Sequence, residues 1–131
     1  YYGDETGMEG YRDPFNRACY PWGRENKELV EWYQGLGRLR AQHKDVLGKG
    51  SYRTLKAEGN LLAFERFVLT EETRDSLMLI VNRSSRPQTI LGAGLDLTDA
   101  QPALGEVLGA VNVLPPFGFS LMKFHKDLKT P

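Results

Sequence analysis

Apolar side chains recur at helical spacing in one part of this chain. Leu29, Trp32, Tyr33, Leu36 and Leu39 share one face of a helix predicted over residues 27–43. Asn26 stands at the N-cap position, and Glu28 and Glu31 lie in the electropositive first turn. Arg38, Arg40, His43 and Lys44 lie at the opposite, electronegative end. Gly35 and Gly37 each weaken such a helix by about 1 kcal/mol relative to alanine, which suggests close approach of a neighbouring backbone.

From residue 51 the period changes to two. The alternation predicts strands at Ser51–Lys56, Leu61–Val68, Leu77–Asn82, Gln88–Leu91, Val111–Leu114 and Phe117–Phe124. Turn-rich segments separate them at Glu58-Gly59-Asn60, Glu71–Asp75, Ser84–Pro87 and Gly92-Ala-Gly94. Short strands at this spacing imply an antiparallel sandwich or barrel. Leu77–Val81 is apolar on both faces and reads as a central strand. Pro115-Pro116 must interrupt a ladder, because neither residue donates a backbone N–H. Residues 92–110 carry no clear pattern, and Lys126–Pro131 reads as a frayed tail. Residues 1–25, rich in glycine and aromatic side chains without a period, read as one long ordered loop.

Composition narrows the function. Seventeen Lys and Arg balance seventeen Asp and Glu in 131 residues, so there is no basic excess for nucleic acid or an anionic membrane. No apolar run approaches the roughly 18 residues of a membrane span, and no signal peptide is visible. A single cysteine, Cys19, makes no internal disulfide and favours a reducing, cytoplasmic setting. The chain starts at Tyr1 rather than methionine, which reads as a cloning boundary or a processing site rather than a natural start.

Few residues suggest chemistry. Asp4 and Glu5 are adjacent and point apart on a strand, so a solvated pair is the favoured reading. Asp13 and Arg17, at i,i+4 around Pro14-Phe15-Asn16, meet if that segment makes one helical turn. On spacing alone this is a surface ion pair, worth about 0–1 kcal/mol. Tyr1, Tyr2, Tyr11, Phe15, Tyr20 and Trp22 suit either sugar rings or a small core. His43, His125 and Cys19 have no metal-ligand or nucleophile spacing, and Gly35-Leu-Gly37 is no nucleotide loop. No cofactor or metal is implied. Asn82-Arg-Ser84 matches a glycosylation sequon.

Taken in order, Tyr1-Tyr-Gly-Asp-Glu-Thr-Gly-Met-Glu-Gly, Asp13-Pro-Phe-Asn-Arg17 and Pro21-Trp22 resemble the α-amylase family of glycoside hydrolases. The resemblance is to its neopullulanase, cyclomaltodextrinase and maltogenic amylase branch. Leu29–Arg40 is similar to the last helix of that family's (β/α)8 barrel, and Gly50–Leu55 and Leu114–Phe119 to parts of its C-terminal sandwich. The resemblance implies a mainly β chain: an antiparallel Greek-key β-sandwich over residues 49–131, preceded at 1–48 by the last strand stub, loop and helix of the barrel. It implies a parent enzyme that cleaves α-glucans such as maltodextrins with retention, using carboxylates that lie upstream of Tyr1. Asp4 and Glu5 are not those residues, so the chain carries no catalytic residue and is expected to be inactive alone. Asp13 and Arg17 match a D-P-x-x-R motif that the branch associates with sugar binding, so their expected partner is an α-glucan oligosaccharide in the intact parent. Without barrel neighbours, the apolar face of the helix is expected to drive self-association or to fold back on the sandwich. Stand-alone carbohydrate binding and protein interaction are the alternative functions.

Overall fold

The structure is a computed structural model and describes residues 1–108 and 112–129. Val111, expected to open a strand, lies outside the described residues, as do 130–131. The chain divides into two compact units, Tyr1–His43 and Lys44–Pro131.

In the first unit the expected loop contains two short 3-10 turns, Asp4–Thr6 and Phe15–Arg17, and no strand. The helix α1 runs Lys27–Gln42. The Asn26 side chain accepts from the Leu29 N–H at 3.2 Å, and the His43 N–H closes the last turn on the Leu39 carbonyl at 3.1 Å. No α1 residue is buried, and Trp32, Tyr33 and Leu36 are 43%, 45% and 36% exposed. The glycine expectation fails. A Cβ at Gly37 meets nothing within 4 Å, and one at Gly35 reaches only the Arg38 guanidinium at 4.0 Å.

The second unit opens with a helix the period did not reveal, α2 (Lys44–Lys49), which packs on β2 and β3 and buries Val46. Six residues are too few to display a helical period. Gly50 then lets the chain enter the sheet. A Cβ there would lie 2.3 Å from the Val46 carbonyl oxygen and 2.9 Å from that of Phe67.

Among the described residues seven strands follow: β1 (Ser51–Glu58), β2 (Leu61–Leu69), β3 (Thr73–Asn82), β4 (Gln88–Thr89), β5 (Gln101–Gly105), β6 (Val113–Leu114) and β7 (Phe119–Asp127). A five-stranded antiparallel sheet has the order β1-β2-β3-β7-β5, and β4 pairs with β6 in a second sheet. The chain therefore leaves the large sheet after β3, returns at its far edge as β5, leaves again, and inserts β7 between β3 and β5. The Leu77–Val81 run is central, as expected.

Alternate residues of the large sheet face the core. Leu61, Ala63, Met78, Ile80 and Met122 pack with Ile90 and Leu114 from the small-sheet side. This is an antiparallel β-sandwich with few helices.

Several expectations change. The strands expected at Gln88–Leu91 and Phe117–Phe124 run Gln88–Thr89 and Phe119–Asp127. Thr73–Asp75 belong to β3 rather than to a turn, because Thr70 closes the turn itself by accepting the Glu72 and Thr73 N–H groups at 3.2 and 2.9 Å. The tail is not frayed from Lys126. β7 pairs to Asp127, the Leu128 N–H donates to the Glu72 carbonyl at 2.7 Å, and Lys129 pairs with Glu72. β5 lies in the patternless 92–110 segment. Its Pro102 lacks a donor and is tolerated at the sheet edge, where the pairing shifts register.

Asn82, the sequon asparagine, is 0% exposed and joins the two sheets. Its amide nitrogen donates to the carbonyls of Arg86 at 2.7 Å, Pro115 at 2.8 Å and Leu114 at 3.3 Å. Its oxygen accepts from the Ser84 N–H at 2.9 Å and the Ser84 hydroxyl at 2.8 Å.

Candidate functional site

Asp13 and Arg17 meet in the first unit. Phe15–Arg17 make one 3-10 turn, with the Arg17 N–H donating to the Pro14 carbonyl at 3.1 Å. That turn brings Arg17 Nε to 3.3 Å from Asp13 Oδ1. The Asp13–Pro14 peptide bond is cis. Both side chains are open to solvent, at 61% and 72% exposure, so the pair is a screened surface contact with its remaining donors and acceptors free to meet a ligand.

One aromatic ring lies against this pair. The Arg17 guanidinium lies over the Tyr1 ring, 4.9 Å from its centroid, and Tyr1 meets Tyr2 edge-on at 5.8 Å. The Tyr2 hydroxyl donates to the Ala18 carbonyl at 2.7 Å, which holds the start of the chain to the end of the second 3-10 turn. The Tyr20 and Trp22 rings meet at 4.5 Å with their planes tilted by 51°, and Gly23, at φ 75°, completes a turn in which the Arg24 N–H donates to the Pro21 carbonyl at 2.8 Å. That turn leaves Trp22 81% exposed.

The base of the loop is fixed to α1. Gly3 and Gly7, both left-handed, flank the first 3-10 turn, where buried Thr6 donates its hydroxyl to the Gly3 carbonyl at 2.9 Å. The Asn26 N–H donates to the Thr6 carbonyl at 3.2 Å, so the helix cap is also the loop anchor. Asp4 and Glu5 sit in this turn. Partial desolvation, then the nearby Glu25 and Glu5 charges, raise the Tyr20 phenol above its usual range.

The Asp13–Arg17 contact was visible in the i,i+4 spacing. The Tyr1–Arg17 stacking and the Tyr2–Ala18 bond were not, because sixteen residues separate each pair and no local period reports such a contact. Among the described residues, no group of three or more His, Cys, Asp or Glu is placed to hold a metal ion. No helix of the described residues is long and apolar enough to cross a membrane.

No protein-family model matches the chain. Individual proteins do. A cyclomaltodextrinase of Geobacillus thermopakistaniensis is 34% identical over 132 aligned positions, covering 92% of this chain and 22% of that protein. Among solved structures, a maltogenic amylase from S. marinus superposes with a TM-score of 0.66 at 27% identity, over 94% of this chain and 16% of that one. The debranching enzyme of Nostoc punctiforme shares the fold, with a TM-score of 0.70 at 24% identity over 95% of this chain and 25% of that one.

The fold is that of the C-terminal β-sandwich end of α-amylase-family glycoside hydrolases. The chain is related to the cyclomaltodextrinase, neopullulanase and maltogenic amylase members of that family. It spans between 5% and 22% of the length of the curated relatives it matches.

Proposed function

We propose that this chain is the C-terminal portion of a retaining α-glucan hydrolase, and that Asp13 and Arg17 bind sugar hydroxyls in the intact enzyme. The observation that supports this reading is the solvent-open Asp13–Arg17 pair, with the Arg17 guanidinium over the Tyr1 ring, in a chain related to cyclomaltodextrinase. A carboxylate accepts from one hydroxyl while a guanidinium donates to its neighbour, and an aromatic face covers the C–H side of a sugar ring.

Retaining hydrolysis needs two carboxyl groups about 5–5.5 Å apart across the glycosidic bond. We assign none in this chain, so it is inactive alone, and residues 49–131 serve to support the barrel that residues 1–48 would complete. The single free cysteine fits a cytoplasmic parent. The exposed Trp32, Tyr33 and Leu36 of α1 give the isolated chain an apolar face for self-association, which a strictly monomeric sedimentation profile would contradict.

The test is made in the enzyme carrying its upstream segment. Arg17→Ala and Asp13→Ala should each lower kcat/KM on maltotriose at least about tenfold, about 1.4 kcal/mol of lost transition-state binding, without unfolding the protein. Unchanged kinetics in both variants would remove the pair from the substrate site. The rival reading, a stand-alone sugar-binding module, requires the 131-residue chain itself to change Trp22 fluorescence on maltotriose titration.

A further inference from the structure

The second unit carries a cleft that the Asp13–Arg17 reading does not use. It holds about 490 Å³, within the ~300–1,000 Å³ of small-molecule sites, and lies between the inner face of the large sheet and the loop at residues 94–99. Its floor is a built charge cluster. The Glu65 side chain is 3% exposed, and its Oε1 accepts from Arg53 Nη2 and Arg74 Nη2, both at 2.6 Å. Arg74 is fixed further by donating Nη1 to the Ser76 hydroxyl at 3.2 Å and by lying 4.8 Å over the Phe67 ring. Opposite this floor, Asp96 is held by accepting the Thr98 N–H at 2.9 Å.

The charges lining the cleft decide what it suits. Arg53, Arg74 and Lys126 stand against Glu65, Asp96 and Asp99, and His125, which also lines the cleft, has its Nδ1 at 2.6 Å from Asp75 Oδ1. The cations and anions balance, and both arginines already share one carboxylate oxygen. A free anion finds no surplus cation, and a free cation finds no surplus carboxylate. What remains are unspent donors on one wall, acceptors on the other, and an apolar surface from Leu95 and Phe124. An uncharged ligand with many hydroxyl groups and a C–H face satisfies all three.

We propose that this cleft is an uncharged-carbohydrate site, separate from the Asp13–Arg17 loop and able to take a short oligosaccharide. Maltotriose is the probe, a choice that rests on the α-glucan reading above. The 131-residue chain is titrated with maltotriose and, separately, with inorganic phosphate, while backbone amide NMR shifts are followed. Maltotriose should shift the amides of Asp96, Thr98 and Phe124 together along one millimolar isotherm. Lys126→Ala and Asp99→Asn should each weaken that isotherm about threefold. Lys126 is exposed, and asparagine tolerates the left-handed φ of 61° at Asp99, so both variants keep the fold. Arg17→Ala should leave the cleft isotherm unchanged, which separates this site from the loop site. No cleft shift at tens of millimolar maltotriose overturns the proposal. So does saturation by phosphate, or an isotherm indifferent to both cleft variants.

Discussion

Asn82→Ala tests what ties the two sheets together. The side chain makes four short hydrogen bonds: to the Arg86 and Pro115 carbonyls, and from the Ser84 N–H and hydroxyl. A neutral hydrogen bond contributes about 1 kcal/mol net, and the buried partners left behind lose their solvation as well. Two terms soften the loss. The Ser84 hydroxyl, released from Asn82, turns its one proton to the Arg86 carbonyl 2.9 Å away, and Arg86 is exposed enough for water to replace part of the network. The expected loss is about 3 kcal/mol. Native-state amide exchange at Ile80 and Met122 reads it, because fully buried core strands exchange only when the sandwich opens as a whole. A loss under about 1 kcal/mol would refute the idea that this amide is the joint.

Asn82→Asp sharpens the same test. A carboxylate there faces three carbonyl oxygens and offers no donor. Its folded pKa must therefore rise above the unfolded value of about 3.9. The neutral acid is the form the fold prefers. The penalty is full above the folded pKa and shrinks as pH falls through it, so this variant should gain on Asn82→Ala upon acidification. A pH-independent difference between the two variants would argue against a ring of acceptors at this position.

Other substitutions probe other joints. Gly50→Ala drives a methyl into two backbone carbonyls and should lower the urea midpoint by the equivalent of about 3 kcal/mol, while Gly48→Ala, in open space on α2, should be neutral or gain up to about 1 kcal/mol. Glu65→Gln should lose about 2 kcal/mol in the same assay. That is less than a fully buried pair, because Arg53 and Arg74 are 59% and 26% exposed and reach water. The Asp96 carboxyl, held down first by the Thr98 N–H and hydroxyl and then by Lys126, should titrate below 3.8 in a carbon NMR experiment. Since its folded pKa is depressed, any stability it contributes is present above the unfolded value and lost as pH falls through the folded one.

How much of this was legible depends on whether a contact is local. The Asn26 cap, the face of α1 and the four long strands all follow from spacing within a few residues. α2 and β5 did not emerge, the first because it is a single short turn of helix, the second because Pro102 disguises an edge strand. The buried Glu65 also broke the expected pattern. An inward-facing carboxylate on β2 looks like an exposed position until Arg53 and Arg74 are seen converging on it from β1 and β3. The same limit applies to Tyr1 over Arg17, a pairing that only the folded loop creates.

The place of β7 has a consequence for synthesis. Among the described residues, β5 has no partner but β7, and β3 is an open edge until β7 arrives. A ribosome delivers β7 after every other strand of the sandwich. The nascent chain therefore holds the β3 edge unpaired from Asn82 onward, and the β5 edge as well from Gly105, until β7 begins at Phe119. A stalled or nicked product ending before Phe119 would expose two sticky edges rather than one missing strand, which makes it a strong candidate for chaperone capture or edge-to-edge aggregation.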